Sequence, residues 1–393
     1  MTSIHGMVAP GFEAVQAEFV RNFTERGELG AACAIYHRGQ KVVDLWGGYR
    51  DERTQALWEE DTMVIVYSAT KGMSALAMAV AQSQGLFDYD DPIATSWPEF
   101  AQKGKERITI RQLLAHQAGL PVIDEPLTLN ILRDPDALAA ILARQKPVWE
   151  PGTRHGYHPF SLGWYESEII RRTDSQHRTL GHFFQDELAR PLGLEFYIGV
   201  PERVPGERIA TVTEPGPLKK LLRMPMGMIL GVLRPGSLMI RTVNPRVRSN
   251  LEFNTPAYRA VEIPSAGGIG QASSIAKAYS VFATGGNELA MKAQTLTALQ
   301  AKAVPPRLGW HDVLLYRDMA YALGFLKPFS GYRFGSSDAA YGAPGSGGSF
   351  GFADPDARVG YAYVTNKQGA RIVDDPREKV LRDTFYTCLQ ETQ

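Results

Sequence analysis

The segment from residue 68 to residue 84 constrains the fold more than any other part of this 393-residue chain. Ser68 is a typical N-cap residue, Gly85 suits the position after the last turn, and no proline lies between them, so we predict one uninterrupted helix. Its apolar residues fall on nearly every face: Met73, Leu76, Ala77, Met78, Val80 and Ala81. A helix that is apolar all round is buried, so other layers must cover it on every side.

The two ends of the chain carry strand patterns, and the middle does not. An amphipathic helix over residues 11–28 precedes two strand-like runs, from Gly30 to Tyr36 and from Lys41 to Trp46, which predict a hairpin. Later patterns predict strands over 321–326, 348–353 and 358–364 and a terminal helix over 376–390. Residues from about 90 to 260 show helices and proline-marked loops instead.

These patterns predict an α/β fold in which an antiparallel sheet, flanked by helices, is built from both chain ends. Residues 1–90 and 262–393 would form this discontinuous sandwich domain. Residues 91–261 would form a mostly helical domain inserted into it.

Ser68 and Lys71 form a Ser-x-x-Lys pair in the first turn of the predicted helix. Positions i and i+3 are neighbours on a helix, so the Lys71 amine can reach the Ser68 hydroxyl. Serine is a weak nucleophile until a base takes its proton, and burial favours the neutral amine that acts as a base. The pair is common by chance, and its alternative interpretation is a capping serine beside an exposed lysine.

Further landmarks follow this pair, and together they resemble the serine β-lactamase and penicillin-binding-protein superfamily. Residues 113–120, Leu-Leu-Ala-His-Gln-Ala-Gly-Leu, resemble its Leu-Leu-x-His-x-x-Gly-Leu signature. Residues 151–157, Pro-Gly-Thr-Arg-His-Gly-Tyr, resemble the approach to its catalytic tyrosine. The similarity runs from about residue 11 to the C-terminus and is closest to the family VIII carboxylesterases. It implies a β-lactamase-like fold with the active site in the cleft between the two domains.

The resemblance implies a role for each matching residue. Ser68 would be the acylated nucleophile, and Lys71 and Tyr157 would act together as its base, with the Lys71 charge lowering the pKa of the Tyr157 phenol. The backbone N–H groups of Ser68 and Ser346 would form the oxyanion hole. Five residues would line the substrate site: Tyr67, His155, His158, Gly345 and Ser349. The alternative for Tyr157 is a buried tyrosine with its hydroxyl satisfied.

Two positions depart from the superfamily pattern. Ala343 stands where the third motif of the class C enzymes has lysine, and Pro159 stands where the Tyr-x-Asn motif has its amide. Both changes remove polar groups that would recognise a β-lactam or a D-alanyl peptide. The resemblance therefore implies a serine carboxylesterase acting on neutral esters, with short acyl chains and without a cofactor or metal. The alternatives are a β-lactamase or D-alanyl peptidase/acyltransferase, and a catalytically silent binding or scaffold protein.

A second serine motif competes with the first. Gly347-x-Ser349-x-Gly351 fits the nucleophile elbow of α/β-hydrolases, but that fold places its catalytic histidine after the serine. All eight histidines precede Ser349, and strands rather than a strand and a helix flank it. We therefore expect this match to be a coincidence.

The composition of the chain and its short apolar segments indicate which classes of partner to expect. Lys plus Arg and Asp plus Glu are both 42, so the chain lacks the basic excess typical of nucleic-acid binding. The N-terminus lacks the pattern of a secretory signal. The apolar run 224–233 is too short to span a bilayer. The two cysteines, Cys33 and Cys388, suggest no disulfide framework. We expect a cytoplasmic enzyme with a small-molecule ester substrate, no nucleic-acid partner and no membrane insertion. The methionines of segment 224–240 either wall an acyl pocket or belong to the helical core.

Overall fold

The main sheet joins the two ends of the chain. The computed structural model describes residues 3–214, 229, 231, 234, 236–242, 250–371 and 373–391. Within these residues the main sheet has nine strands, ordered β1-β3-β2-β14-β13-β12-β11-β10, with β4 paired to β3 and every pairing antiparallel. The predicted antiparallel sheet built from both chain ends is therefore confirmed.

The strands of the main sheet are β1 Ile4–Val8, β2 Gly30–His37, β3 Gln40–Asp51, β4 Ala56–Leu57, β10 Tyr321–Ala322, β11 Phe325–Leu326, β12 Tyr341–Pro344, β13 Phe350–Asp354 and β14 Val359–Thr365. A smaller sheet contains β5 Val64–Ile65, β6 Phe196–Ile198 and β7 Gly268–Gly270, and β8 His311–Asp312 pairs with β9 Arg317–Asp318. The predicted hairpin is β2 and β3. Strand β1 was not predicted, because most of its side chains are exposed and it carries no apolar alternation.

Helices pack on both faces of the main sheet. Of the described helices, all but the first and the last come from the part of the chain between strands β4 and β10. They are α1 Glu13–Thr24, α2 Thr70–Gln84, α3 Ile93–Ser96, α4 Ile110–Leu114, α5 Leu129–Leu132, α6 Pro135–Arg144, α7 Ser161–Thr173, α8 Leu180–Phe184, α9 Arg190–Leu192, α10 Leu238–Thr242, α11 Pro256–Arg259, α12 Ala272–Ala283, α13 Ala293–Gln300 and α14 Pro376–Glu391. The domain boundaries near residues 91 and 261 stay a prediction. Within the described residues, no helix combines the length and the apolar character that crossing a membrane requires.

Helix α2 is the buried helix that the sequence predicts. It packs against α7 and α8 and against β11 and β12, and Gly85 ends it with a left-handed φ of +87°. The prediction that Ser68 caps this helix is wrong. The chain enters α2 through a 3-10 turn over Tyr67–Ala69, Ala69 is the N-cap, and the Ser68 hydroxyl faces Lys71 instead.

Candidate active site

Lys71 lies buried in the first turn of α2, where its amine contacts three oxygens. Its Nζ donates to the carbonyl of Pro159 at 2.7 Å and to the carbonyl of Ser265 at 2.8 Å. The Oγ of Ser68 lies 3.4 Å from the same nitrogen. The two carbonyls therefore fix the amine in one orientation, and the serine hydroxyl takes its third direction.

The surroundings of Lys71 favour its neutral form. Desolvation by burial lowers the pKa of the amine to about 7, and the Glu166 carboxylate opposes this shift. The predicted effect of burial on this lysine is confirmed. An amine with a pKa near neutrality exists partly as a free base, so it can accept a proton without a large free-energy cost.

Ser68 is held in place by a strained turn. Tyr67, just before it, has a φ of +48°, a left-handed value that bulky residues adopt only when their surroundings enforce it. The Thr70 hydroxyl donates to the Tyr67 carbonyl and accepts from the backbone N–H of Gly268 at 2.9 Å. The Tyr67 ring is buried, edge-on to Phe253. These contacts leave the Ser68 side chain partly exposed, as a nucleophile must be.

Tyr157 stands beside the serine and the lysine. Its hydroxyl is hydrogen-bonded to the Ser68 side chain, and Lys71 Nζ lies 4.7 Å from the centre of its ring. Burial raises the pKa of the Tyr157 phenol, Ser68 lowers it, and the Asp312 carboxylate raises it further. The expectation that Lys71 lowers this pKa is wrong, because the burial of the phenol dominates. At neutral pH Tyr157 is a phenol that can donate a proton.

Asp312, which the sequence did not single out, fixes the position of Tyr157. Its buried carboxylate accepts from the Tyr157 backbone N–H at 2.8 Å and from the Tyr321 hydroxyl at 3.0 Å. It also accepts from the N–H groups of Leu314 and Leu315, each at 2.8 Å. A lone aspartate 155 residues from its partner gives no local signal in sequence.

The two histidines that flank Tyr157 in sequence, His155 and His158, are hydrogen-bonded to backbone groups around it. His158 donates from Nδ1 to the Gly156 carbonyl at 2.7 Å and accepts at Nε2 from the Leu120 N–H at 3.1 Å, so neither ring nitrogen is free for a substrate. Burial lowers its pKa to about 3, which keeps it neutral. His155 is also buried, and its Nε2 lies 2.6 Å from the Trp310 carbonyl. The structure thus puts both residues in the wall that carries Tyr157.

The third motif meets the turn that carries Ser68. A Cβ on Gly345 would lie 2.2 Å from the Val66 carbonyl oxygen, so only glycine allows this approach. Ser346 follows it and is exposed. In the described part of the chain, the backbone N–H groups of Ser68 and Ser346 have no hydrogen-bond partner. Two free N–H groups beside a serine nucleophile are what an oxyanion hole requires.

Ser349 closes the third-motif turn. Its carbonyl accepts from the Gly345 N–H at 2.7 Å, and its buried Oγ accepts from the Thr365 N–H at 3.4 Å. The strand β13, not a helix, follows it, so the turn of a nucleophile elbow does not form here. Ser349 thus lies in a turn that leads into a strand, unlike the serine of a nucleophile elbow.

The two departures from the superfamily pattern have structural counterparts. Ala343 is buried, and its Cβ lies 3.0 Å from the position that a Cβ on Gly72 would take. Pro159 offers its carbonyl to Lys71. Met224, Met226 and Met228, predicted to wall a pocket or fill a core, lie outside the described residues. Among the residues that are described, no three His, Cys, Asp or Glu side chains form a group suited to a metal ion.

Comparisons with known proteins agree with the resemblance seen in the sequence. The family described as Beta-lactamase matches residues 16–383. The Esterase/beta-lactamase LipL of Mycobacterium tuberculosis is 30% identical over 368 residues, which cover 93% of this chain and 83% of that protein.

Solved structures give the same result over the whole length of the chain. The crystal structure of a family VIII carboxylesterase is 34% identical with a TM-score of 0.83, covering 98% of this chain and 100% of that one. EstA from Arthrobacter nitroguajacolicus is 30% identical with a TM-score of 0.85, covering 98% of each chain. The predicted similarity to family VIII carboxylesterases is therefore confirmed.

Proposed function

The chain belongs to the β-lactamase family and is a hydrolase of its serine-enzyme superfamily, and from this premise we propose that it is a serine carboxylesterase acting on neutral esters with short acyl chains. Ser68 and Ser346 come from the predicted sheet domain and Tyr157 from the predicted helical one, which supports an active site in the cleft between them. The observation that carries the proposal is the orientation of the Lys71 amine towards the Ser68 hydroxyl.

Lys71 acts as the base in the first step. A neutral amine has two N–H bonds and one lone pair, and the carbonyls of Pro159 and Ser265 accept the two N–H bonds. The lone pair is left for the Ser68 hydroxyl. As the proton moves to Nζ, Oγ forms a bond to the ester carbonyl carbon, and the carbonyl electron pair moves onto its oxygen.

The free N–H groups of Ser68 and Ser346 receive the oxyanion that results. When the tetrahedral intermediate collapses, the bond between the carbon and the alkoxy oxygen breaks. The Tyr157 phenol gives its proton to the departing alkoxide, and the proton taken up by Lys71 restores the phenol. The products of this half-reaction are a free alcohol and an acyl group on Ser68.

Water completes the cycle by the same route. Lys71, neutral again, takes a proton from a water molecule, whose oxygen attacks the acyl carbonyl carbon. The oxyanion returns to the same N–H groups, and Ser68 leaves with a proton. The carboxylic acid is then released.

The identity of two side chains favours an ester over a β-lactam. The buried methyl group of Ala343 offers no charge to the carboxylate of a β-lactam, and Pro159 has no side-chain amide. A neutral ester needs neither contact. LipL is described as both an esterase and a β-lactamase, so β-lactam turnover is the second activity to measure.

The test uses p-nitrophenyl esters of increasing acyl length beside nitrocefin. We expect ester hydrolysis that declines as the acyl chain lengthens, and a Ser68→Ala variant that folds normally but loses at least about 10^4-fold in kcat. A serine-reactive phosphonate should add one adduct, by intact mass, to the wild type and to Ser349→Ala but not to Ser68→Ala. Full activity or labelling in Ser68→Ala would overturn the proposal, and faster nitrocefin than ester turnover would favour the β-lactamase alternative.

A further inference from the structure

Arg377, in the first turn of α14, is a buried cation that the reaction described above does not use. Its side chain is 7% exposed, and its guanidinium group pairs with two carboxylates. Nε and Nη2 donate to the two oxygens of Asp375 at 2.9 and 3.0 Å, and Nη1 donates to those of Glu28 at 3.1 and 3.0 Å. Taking such charges out of water is costly, so the fold keeps them only with close hydrogen bonding.

One N–H of the Arg377 guanidinium reaches the turn over residues 345–348, which carries Ser346. Nη2 donates to the Gly347 carbonyl at 2.7 Å, and the Gly369 N–H donates to the same oxygen at 2.8 Å. A hydrogen bond from a charged donor is roughly twice as strong as a neutral one. The peptide that follows Gly347 is therefore held by a cation as well as by a backbone N–H.

This turn has little stiffness of its own. A long hydrogen bond closes it, from the Gly348 N–H to the Gly345 carbonyl at 3.3 Å, with Ser346 and Gly347 at its central positions. Gly347 has a φ of +92° and Gly348 a φ of +115°. Glycine adopts such values readily, but it also loses more conformational freedom than other residues when it is fixed. Contacts from outside the turn are therefore needed to fix the direction of the Ser346 N–H.

The turn makes two close approaches that leave little space for a side chain. A Cβ on Gly345 would lie 2.2 Å from the Val66 carbonyl oxygen, just before the turn that carries Ser68. A Cβ on Gly348 would lie 3.1 Å from Arg377 Nη2. The turn thus contacts the segment of the nucleophile through its first residue and the buried arginine through its last.

Arg377 can position the turn because it is itself fixed. The Glu28 carboxylate, which is 0% exposed, also accepts from the Thr365 hydroxyl at 2.8 Å and from the Tyr363 hydroxyl. Arg377 Nη1 donates in addition to the Lys367 carbonyl at 2.8 Å. The arginine therefore connects the turn to strand β14, in the middle of the main sheet.

We propose that Arg377 is a positioning residue that holds the Ser346 N–H where the oxyanion forms. The inference rests on the proposed function, in which the N–H groups of Ser346 and Ser68 receive that oxyanion. Donors stabilise a developing charge most when they are already in place, because no free energy is then spent on moving them during the reaction. Arg377 acts through the Gly347 carbonyl, since its three nitrogens already donate to groups of the protein.

Arg382, five residues further along α14, provides a matched comparison. Its side chain is 3% exposed, and it pairs with Glu378 at 2.8 Å and with Asp374 at 2.9 Å. Its Nη1 donates to the Arg333 carbonyl at 2.8 Å. Each arginine thus joins two carboxylates to the backbone, but the carbonyl that Arg382 binds lies outside the turn over residues 345–348.

The experiment compares Arg377→Lys with the matched control Arg382→Lys. Lysine keeps a positive charge for the carboxylates but lacks the planar fork of donors that binds two carboxylates and a carbonyl together. The measurements are kcat and KM for p-nitrophenyl acetate and the affinity for a trifluoromethyl ketone. Ser68 adds to the carbonyl carbon of this ketone, and the tetrahedral adduct resembles the transition state, so its affinity reports on the oxyanion hole.

In Arg377→Lys we expect kcat to fall about 10-fold or more with KM close to that of the wild type, and the ketone to bind more weakly by a similar factor. Arg382→Lys should lower the unfolding temperature and leave kcat and the ketone affinity unchanged. Where Arg377→Lys does not fold, Glu28→Gln combined with Arg377→Met removes the opposite charges together and takes its place. A wild-type kcat in the folded Arg377 variant, or a lower kcat with unchanged ketone affinity, overturns the inference.

A second measurement follows the Ser346 N–H without any catalysis. Its NMR signal, in protein that contains 15N-labelled serine, is assigned by its loss in Ser346→Ala. The signal should shift in the Arg377 variant and stay in place in Arg382→Lys, and an unshifted signal in the Arg377 variant contradicts the inference. A wild type with no phosphonate labelling and no esterase activity defeats the proposed function instead, and the amide signal still decides whether Arg377 holds this N–H.

Discussion

Two buried lysines, Lys71 and Lys327, show what separates a base from a structural cation. Burial lowers the pKa of each to about 7. Lys71 binds two carbonyl oxygens and faces one hydroxyl, whereas Lys327 binds three carbonyl oxygens, those of Leu299 at 2.8 Å, Gln300 at 3.3 Å and Ala339 at 3.2 Å. The two amines differ in one partner out of three.

That one partner decides the chemistry. A carbonyl oxygen has no proton to give, so Lys327 can only neutralise the end of α13, where unpaired carbonyls accumulate. The Ser68 hydroxyl can lose its proton to Lys71 and then attack a substrate. A perturbed pKa therefore marks both lysines as unusual, and their contacts are what support Lys71 rather than Lys327 as the base in the proposed reaction.

The largest effect should come from replacing each lysine by methionine, which keeps the length of the chain and removes the amine. We expect Lys71→Met to lower kcat/KM for p-nitrophenyl acetate by about 10^3-fold or more, because no base remains for Ser68. Lys327→Met should retain kcat/KM close to that of the wild type. Initial rates on both purified variants give the comparison.

The free energy of unfolding should fall more in Lys327→Met than in Lys71→Met, the reverse of the order expected for activity. Lys327→Met leaves three carbonyls without their donor and should lower the free energy of unfolding by about 1–3 kcal/mol, measured in urea. Lys71→Met leaves two carbonyls without their donor rather than three, so its loss of stability should be smaller. If folded Lys327→Met lost as much activity as Lys71→Met, the distinction between the two lysines would fail.

Two stacked tyrosines extend the comparison at a smaller scale. The rings of Tyr157 and Tyr321 lie 6.2 Å apart, but the first hydroxyl bonds Ser68 and the second donates to Asp312. Tyr157→Phe should lower kcat/KM for an alkyl ester by about 10^2-fold, because the departing alcohol loses its proton donor. Tyr321→Phe should cost less than about 10-fold, since it weakens only the support of Tyr157. Equal losses in the two variants would mean that Tyr157 acts through position alone.

The sequence predicted those parts of the molecule whose cause is local. The pair Ser68 and Lys71 is three residues apart on one helix, and the hairpin of β2 and β3 follows from its alternating pattern. The resemblance added Tyr157, which no local pattern reaches. These predictions needed either neighbouring residues or a known family.

The contacts that tune the site span long distances in the chain and could not be predicted. Pro159 and Ser265, whose carbonyls orient Lys71, lie 88 and 194 residues from it. Backbone carbonyls are present at every residue, so no residue type signals this role. Arg377 is one arginine among many until the fold brings its guanidinium group to the Gly347 carbonyl. Only the folded chain shows these groups together.

The acidic limb of the pH profile, and its expected independence of Lys327, tests the difference between the two lysines most directly. Below a pKa of about 7 the Lys71 amine is protonated, so kcat/KM should fall about tenfold for each pH unit and level off above it. Lys327 has its pKa lowered to about 7 as well, so Lys327→Met should show the same limb if only Lys71 matters. Rates between pH 5 and 9, on enzyme checked for folding at each pH, decide this. A limb that moves in Lys327→Met would mean that the structural lysine is coupled to the reaction, and a limb absent from the wild type would mean that Lys71 is not its base.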